Sequence, residues 1–338
     1  MVIITNYSVA IMFTILAMIC WGSWPNTQKI AARNWRFELF YWDKITGILV
    51  MALFAAFTLG SLGTEGRTFL EDLRQADAQS FMFAIMGGIL WNAGNLFLVA
   101  AIATAGMSVA FPIGGGIAWI LGILVNYVVV LMDGKIPASN PLLLWTGMII
   151  IIIAIVLSGK AYRQLASEQK KPGTRGIVLS VIAGLFIAFF YGFLVKSLDG
   201  EFVAGGTGTL TPFTAIVGFA IGVWVCTIPF YLFVMKPLRV GIPGTVKEYF
   251  SANIKTHMAG WLGGLIYCAG TVFSFLAIGA ASPAIAYGMS NAAPVVAILW
   301  GVIVWKEFRG APKKTDSILA IMFLLYLVGL IFITWSNA

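Results

Sequence analysis

Asp43 stands inside an apolar stretch that opens Glu38-Leu39-Phe40-Tyr41-Trp42-Asp43-Lys44. A carboxylate held in low dielectric keeps its proton more tightly, which is what a proton-coupling group requires. Glu38, nearer the start of the stretch, is a second candidate for that work. Lys44 is adjacent, but neighbours on a helix point about 100° apart and make poor partners. A pair with Lys44, or a helix that begins later, is the plainer explanation of Asp43.

A second group of residues has the chemistry to hold a solute. Trp21, Trp24 and Asn26 surround Pro25, which lacks an amide hydrogen and would open a helix toward a cavity. The alternative for the tryptophans is an aromatic belt at a membrane interface. Trp91, Asn92 and Asn95 follow in one stretch, and Tyr287, Ser290 and Asn291 in another. Neutral amides beside aromatic faces suit a small, neutral, polar solute that stacks on rings and hydrogen-bonds at its rim. The competing explanation is hydrogen bonding between packed helices. Pro25, Pro112, Gly114, Gly115 and Pro294 are candidate helix breaks, and matching interruptions in two halves point to a transporter's binding site.

Other chemistries are poorly served. The single histidine, His257, sits at the edge of an apolar stretch, where an interfacial role is the default. Cys20, Cys226 and Cys268 have neither pairing nor metal spacing and are expected to pack as small apolar residues. The run Gly114 to Gly116 lacks the strand and the Lys-Ser/Thr ending of a nucleotide loop. No paired acids or histidines offer a catalytic or metal set, so neither an enzyme nor a cofactor is expected.

The elements that must position these residues are membrane helices. Hydrophobic residues make up 60% of the 338-residue chain and charged residues only 10%, too few for a soluble surface. Ten stretches near 8–28, 38–60, 80–103, 108–131, 141–159, 176–195, 211–235, 257–278, 284–305 and 316–335 are long enough to span a bilayer. Residues 1–7 hold no Lys or Arg, so the first stretch reads as a retained helix. Sixteen Lys and Arg fall in connections 1–2, 5–6, 7–8 and 9–10, against four on the opposite side. That asymmetry makes the basic connections cytoplasmic and both termini extracytoplasmic, in a cell (inner) membrane. It also explains the net charge of +8 without nucleic acid as a partner. Glu307, in Trp305-Lys306-Glu307-Phe308-Arg309, is expected to neutralise Lys306 and neighbouring bases.

The chain also repeats itself at an offset of 176 residues. Gly87-Gly88-Ile89-Leu90-Trp91-Asn92-Ala93-Gly94 returns as Gly263-Gly264-Leu265-Ile266-Tyr267-Cys268-Ala269-Gly270, and nine of the 24 positions from 87 are identical. Each copy sits in the third helix of a set of five. Five is odd, so tandem copies cross the membrane in opposite directions, as in many secondary transporters. The expected fold is all-α: repeats over 1–160 and 176–338, joined by a cytoplasmic linker at 161–175 whose Pro172-Gly173 argues against helix.

Three segments resemble the ten-helix branch of the drug/metabolite transporter superfamily, and within it the ureide permeases. They are Gly22-Ser23-Trp24-Pro25 with Tyr41-Trp42-Asp43 and Ala55-Ala56-Phe57-Thr58-Leu59-Gly60; Gly88-Ile89-Leu90-Trp91-Asn92-Ala93-Gly94-Asn95; and Ala293-Pro294 through Trp300-Gly301 to Glu307-Phe308-Arg309. The second is also similar to the rhamnose-proton symporter. The resemblance implies uptake of a sugar or a nitrogen-rich heterocycle by proton symport. Plant ureide permeases have a long central loop, whereas the linker here is short, like that of bacterial glucose/ribose porters, which favours a sugar. A ureide or nucleobase, export by the same fold, sodium in place of the proton, and dimerisation are left open.

Overall fold

The computed structural model describes residues 1–31, 35, 37–63, 65–105, 107–165, 174–199, 206–230 and 245–337. Ten helical spans are long and apolar enough to cross a membrane, and no strand occurs among the described residues. Within a bilayer every backbone polar group needs an internal partner, and helices supply it.

The first span is α1 (Tyr7–Ser23) continued by the short α2 (Pro25–Ala31), and the second is α3 (Phe37–Phe57). Asn6 starts α1 by accepting the Val9 amide at 3.1 Å. After α4 (Phe69–Gln75), an excursion outside the spans, come α5 (Ala78–Ala105), α6 (Met107–Met132) and α7 (Pro141–Leu165). The second half comprises α8 (Thr174–Ser197), α9 (Pro212–Phe230), the short α10 (Val246–Ser251) and α11 (Ile254–Ala281). Its ninth span is broken into α12 (Pro283–Ser290), α13 (Ala293–Leu299) and a π-helical turn (Trp300–Val304), and α14 (Lys313–Trp335) closes the chain.

Both termini lie at one end of the bundle. The N-terminal amine donates to Gly63 and Glu65 carbonyls after α3, and Asn337 accepts from Ser139 between α6 and α7. Arg67 clasps two connections there: it is 3% exposed, binds Asp72 at 2.8 Å and Asp199 at 3.0 Å, and donates to the Thr209 carbonyl. At the opposite end Lys29 pairs with Glu307, and the Trp305 indole donates to Asn26 at 2.5 Å. Among the described residues Glu307 therefore pairs with a lysine from the first span rather than with Lys306. Lys306 has a left-handed backbone (φ 52°) at this turn.

The helices pack in a pattern that fits two inverted repeats. α11 lies on α3 as α9 lies on α5, and α1 joins α11 as α8 joins α5. The agreement reaches single atoms. A side chain at Gly88 would overlap the Phe219 carbonyl, and one at Gly264, its partner in the repeat, would overlap the Lys44 carbonyl. Likewise Gly222 fits against the Ile85 carbonyl and Gly47 against that of Trp261. Lipid offers no hydrophobic drive for association, so such close backbone approach is how these helices adhere.

The fourth span departs from the sequence expectation. α6 runs unbroken through Pro112 and Gly114 to Gly116. Pro112 falls near the start of the helix; its side chain lies outside the described residues. Gly114 and Gly184 bring α6 against α8, where a methyl group on Gly114 would lie 3.0 Å from the Ser180 carbonyl. The glycines serve contact rather than interruption. Breaks do occur at Trp24-Pro25 and at Asn291-Ala292, just before Pro294.

Candidate functional site

A cavity of ≈ 170 Å³ lies between α1/α11/α13 on one side and α5/α6/α8 on the other. Trp21, Trp24, Pro25, Trp91, Asn95, Gly115, Asn291 and Pro294 all line it, with Tyr267 and Trp119 completing the aromatic wall. A smaller recess of ≈ 30 Å³ shares Gly115, Trp119, Asn291 and Pro294 with it. In the first span and in α6 the lining residues are nearer the end that carries the basic connections, while Ile187 and Phe190 of α8 lie past its middle toward the other end. Toward the end bearing the termini, Tyr191, Phe219, Phe275 and Tyr287 are fully buried and fill the bundle.

The wall is built by stacking. Tyr267 lies 4.5 Å from the Trp91 ring centre and 5.8 Å from that of Trp21, nearly parallel to the latter. The Trp21 indole donates to the Tyr267 carbonyl at 3.1 Å, and the Trp119 indole to the Gly288 carbonyl at 3.1 Å. With their N–H groups engaged in fixing position, these rings present faces to the cavity.

Its two amides, Asn95 and Asn291, each keep an oxygen acceptor and a second N–H. Asn95 donates its amide hydrogen to the Trp91 carbonyl at 2.9 Å, and Asn291 donates to the Tyr287 carbonyl at 3.1 Å. A backbone carbonyl can only accept, so each amide must point its nitrogen at the helix. Neither amide oxygen has a protein donor among the described residues.

Other sequence candidates do not reach the cavity. Asn92, three residues before Asn95, is fully buried and joins helices: it accepts from the Tyr41 hydroxyl and donates to the Val223 carbonyl at 3.1 Å and Thr227 at 2.8 Å. Tyr287 donates to the Ala118 carbonyl at 2.7 Å, and Ser290 is buried beside it. Asn26 is engaged with Trp305. Gly114 faces Leu98 and Ser180, and the Glu38 side chain lies outside the described residues.

Asp43 is fully buried, away from the cavity, and has three hydrogen-bond partners. The Trp35 indole donates to it at 2.9 Å, the Tyr249 hydroxyl at 2.6 Å, and His257 Nδ1 lies at 2.8 Å. The His257 ring packs edge-on against Trp35 and Tyr249 at 5.3 Å and 4.7 Å. The lone histidine is thus part of the carboxylate's site rather than a free interfacial group. Tyr249, on α10 outside the spans, has its phenol pushed above the usual range, first by burial and then by Asp43. No periodicity could link Asp43 to residues more than 200 positions away. The usable signal was that the only histidine begins the helix whose glycines match α5.

Lys44 turns the other way. Its ammonium lies 3.3 Å from the Trp24 ring centre and within 5.1–5.4 Å of those of Trp91, Tyr267 and Tyr41. It is 1% exposed, and Nζ has no hydrogen-bond partner among the described residues. Cation–π contacts contribute about 0.5–2 kcal/mol each, against several kcal/mol for burying an ion.

Ten apolar spans around a central cavity walled by aromatic rings and two amides define a multi-pass membrane protein that handles a small solute. The ureide permease family profile matches residues 40–175 and 167–336, and the chain belongs to that family. It is similar to Ureide permease 1 of Arabidopsis thaliana, with 26% identity over 95% of each chain. Ureide permease 4 of the same plant is 25% identical over 100% of this chain and 99% of its own. A crystal structure of another protein overlays with a TM-score of 0.63 and 15% identity over 98% of both chains, a likeness of fold alone. The protein is therefore a permease of the lipid bilayer, not an enzyme.

Proposed function

We propose that this permease takes up a small, nitrogen-rich ring or ureido compound, seated in the central cavity and driven by a proton carried at the Asp43–His257 pair. The two free amide oxygens of Asn95 and Asn291 carry this reading. The oxygens accept from N–H groups of a solute and the second hydrogen on each amide can donate to its C=O, a pairing that suits a nitrogen-rich ring or ureido group, while Trp21, Trp24, Trp91 and Tyr267 stack on its plane. The names of the plant relatives support the same class over a sugar. Sugar uptake is the second reading, because hydroxyl groups also donate and the central linker is short.

Two repeats, 1–160 and 176–338 about the 161–175 linker, would supply the alternating pathway, with the basic connections cytoplasmic and both termini outside the inner membrane. The decisive experiment is uptake of radiolabelled allantoin into vesicles under an inward proton gradient, with glucose as competitor. Concentration that collapses with the gradient and ignores glucose is expected. Gradient-independent uptake, sodium dependence, or glucose uptake instead would overturn the corresponding part. Asp43→Asn should abolish accumulation yet retain counterflow exchange; normal accumulation would remove Asp43 from the mechanism.

A further inference from the structure

The short α10 lies outside the ten spans, yet it carries an apolar face that stands uncovered among the described residues. A capping box closes its first turn: the Thr245 amide donates to the Glu248 carboxylate at 2.8 Å, and the Glu248 amide to the Thr245 hydroxyl at 3.1 Å. On the inner side, Tyr249 and the following Ala252 pack against Trp35, Leu39 and Phe40, and Tyr249 reaches Asp43 from there. Val246 and Phe250 sit one turn apart on the other side, 74% and 79% exposed.

A cavity of ≈ 320 Å³ opens beside α10, lined by Trp35, Leu39, Glu248, Ser251, Asn253 and Thr256, so the bundle supports this helix on one side only. The membrane begins close by. The eighth span starts at Ile254, and its exposed row of Ile254, Met258 and Leu262 faces lipid. The four residues from Phe250 to Ile254 span at most about 14 Å, which keeps Phe250 near the bilayer boundary. The charges fit the same neighbour. Lys247 and Lys255 are exposed beside the apolar pair. The connection from the seventh span to the eighth holds Lys236, Arg239, Lys247 and Lys255 against a single acid, Glu248. An apolar helical face flanked by cations is suited to lie in an anionic membrane surface.

We propose that α10 is a lipid-binding element: Val246 and Phe250 enter the acyl region of the adjacent leaflet, and Lys247 and Lys255 bind the phosphates of anionic phospholipids. The partner is the membrane surface rather than a transported solute, and the assignment is independent of the uptake reading. Its consequence runs through the helix. Tyr249 donates to Asp43 from the opposite face, so lipid on the outside steadies one of the three partners of that carboxylate.

The test is hydrogen–deuterium exchange of the amides of residues 246–252 in full-length protein. It compares nanodiscs of phosphatidylcholine with nanodiscs that also contain phosphatidylglycerol. Exchange is expected to be about tenfold slower with the anionic lipid. The double variant Lys247→Gln, Lys255→Gln should erase that difference at an unchanged melting temperature, and Phe250→Ser should exchange faster in both lipids. Equal exchange of the wild type in the two lipids overturns the proposal, as does a difference that survives in the double variant. Protection in lipid-free detergent that neither lipid increases overturns it too, because the protein alone then holds the helix. Phe250→Ser that exchanges as slowly as wild type overturns the insertion of the apolar face. If the double variant fails to fold, salt decides on the wild type: slowing that vanishes at high ionic strength supports the proposal, and slowing that persists overturns it.

Discussion

The α3–α11 and α9–α5 crossings are built alike and equipped differently. In both, a glycine of one helix meets a carbonyl of the other at matched positions. At the first crossing, however, the interface contains Asp43, Lys44 and His257; at the second the corresponding positions are Gly218, Phe219 and Phe81. Gly260 yields its side-chain space to Asp43, and Gly218 does the reverse for Ala84. The second crossing shows what adhesion alone needs, which is small residues, aromatic filler and the neutral hydrogen bonds of Asn92 to Val223 and Thr227. The ionisable groups of the first are surplus to the fold, and buried ionisable groups in a membrane are expensive. Under the proposed function, the proton coupling belongs to that copy.

The contrast can be broken by making the first crossing resemble the second. His257→Phe copies Phe81 and should abolish proton-driven accumulation, with binding in tryptophan fluorescence changed by no more than about twofold. Accumulation at the wild-type level would show that the histidine is only packing. Next in size come the matched glycines. Gly88→Ala and Gly264→Ala should each destabilise by about 1–3 kcal/mol or more, read as equal losses of melting temperature. If one copy tolerates alanine, the crossings are not equivalent.

A finer contrast separates Gly260→Ala from Gly218→Ala. A methyl group at 260 overlaps Asp43 Cβ and displaces the carboxylate from its donors, whereas at 218 it lies 2.8 Å from the Ala84 methyl. Transport should fall more than stability for Gly260→Ala, and stability more than transport for Gly218→Ala. The smallest effect belongs to Tyr249. Its phenol is raised above the usual value of about 10, so the stabilisation is intact below that pH and is lost as pH rises through the folded value. Melting temperature should decline above about pH 10, and Tyr249→Phe should flatten the decline. A profile identical to wild type would remove Tyr249 from the linkage.

The ten spans were legible because length and apolarity are local properties, and so was Asp43 as a deep acid. The acid's surroundings were not. Trp35 lies eight residues before it, outside helical register, and Tyr249 and His257 come from the other half. The amides were legible as a pair but not as separate roles. Residues three apart differ by about 60° around a helix, enough for Asn95 to open onto the cavity while Asn92 turns to α9. Pro112 and the glycines after it carried a local signal for a break, which contact with α8 overrode. The break at Asn291 was signalled by Pro294 and is present.

The glycine crossings constrain which parts of the molecule can shift against each other. Where one backbone rests on another with no side chain between, nothing can repack, and the two helices behave as if welded. Each weld joins a helix from residues 1–160 to one from 176–338, so a separation of those two segments would tear both. Sliding α1, α3, α11 and α13 as one block past α5, α6, α8 and α9 tears neither glycine crossing and breaks side-chain bonds such as Tyr41 to Asn92, and the cavity lies along that seam.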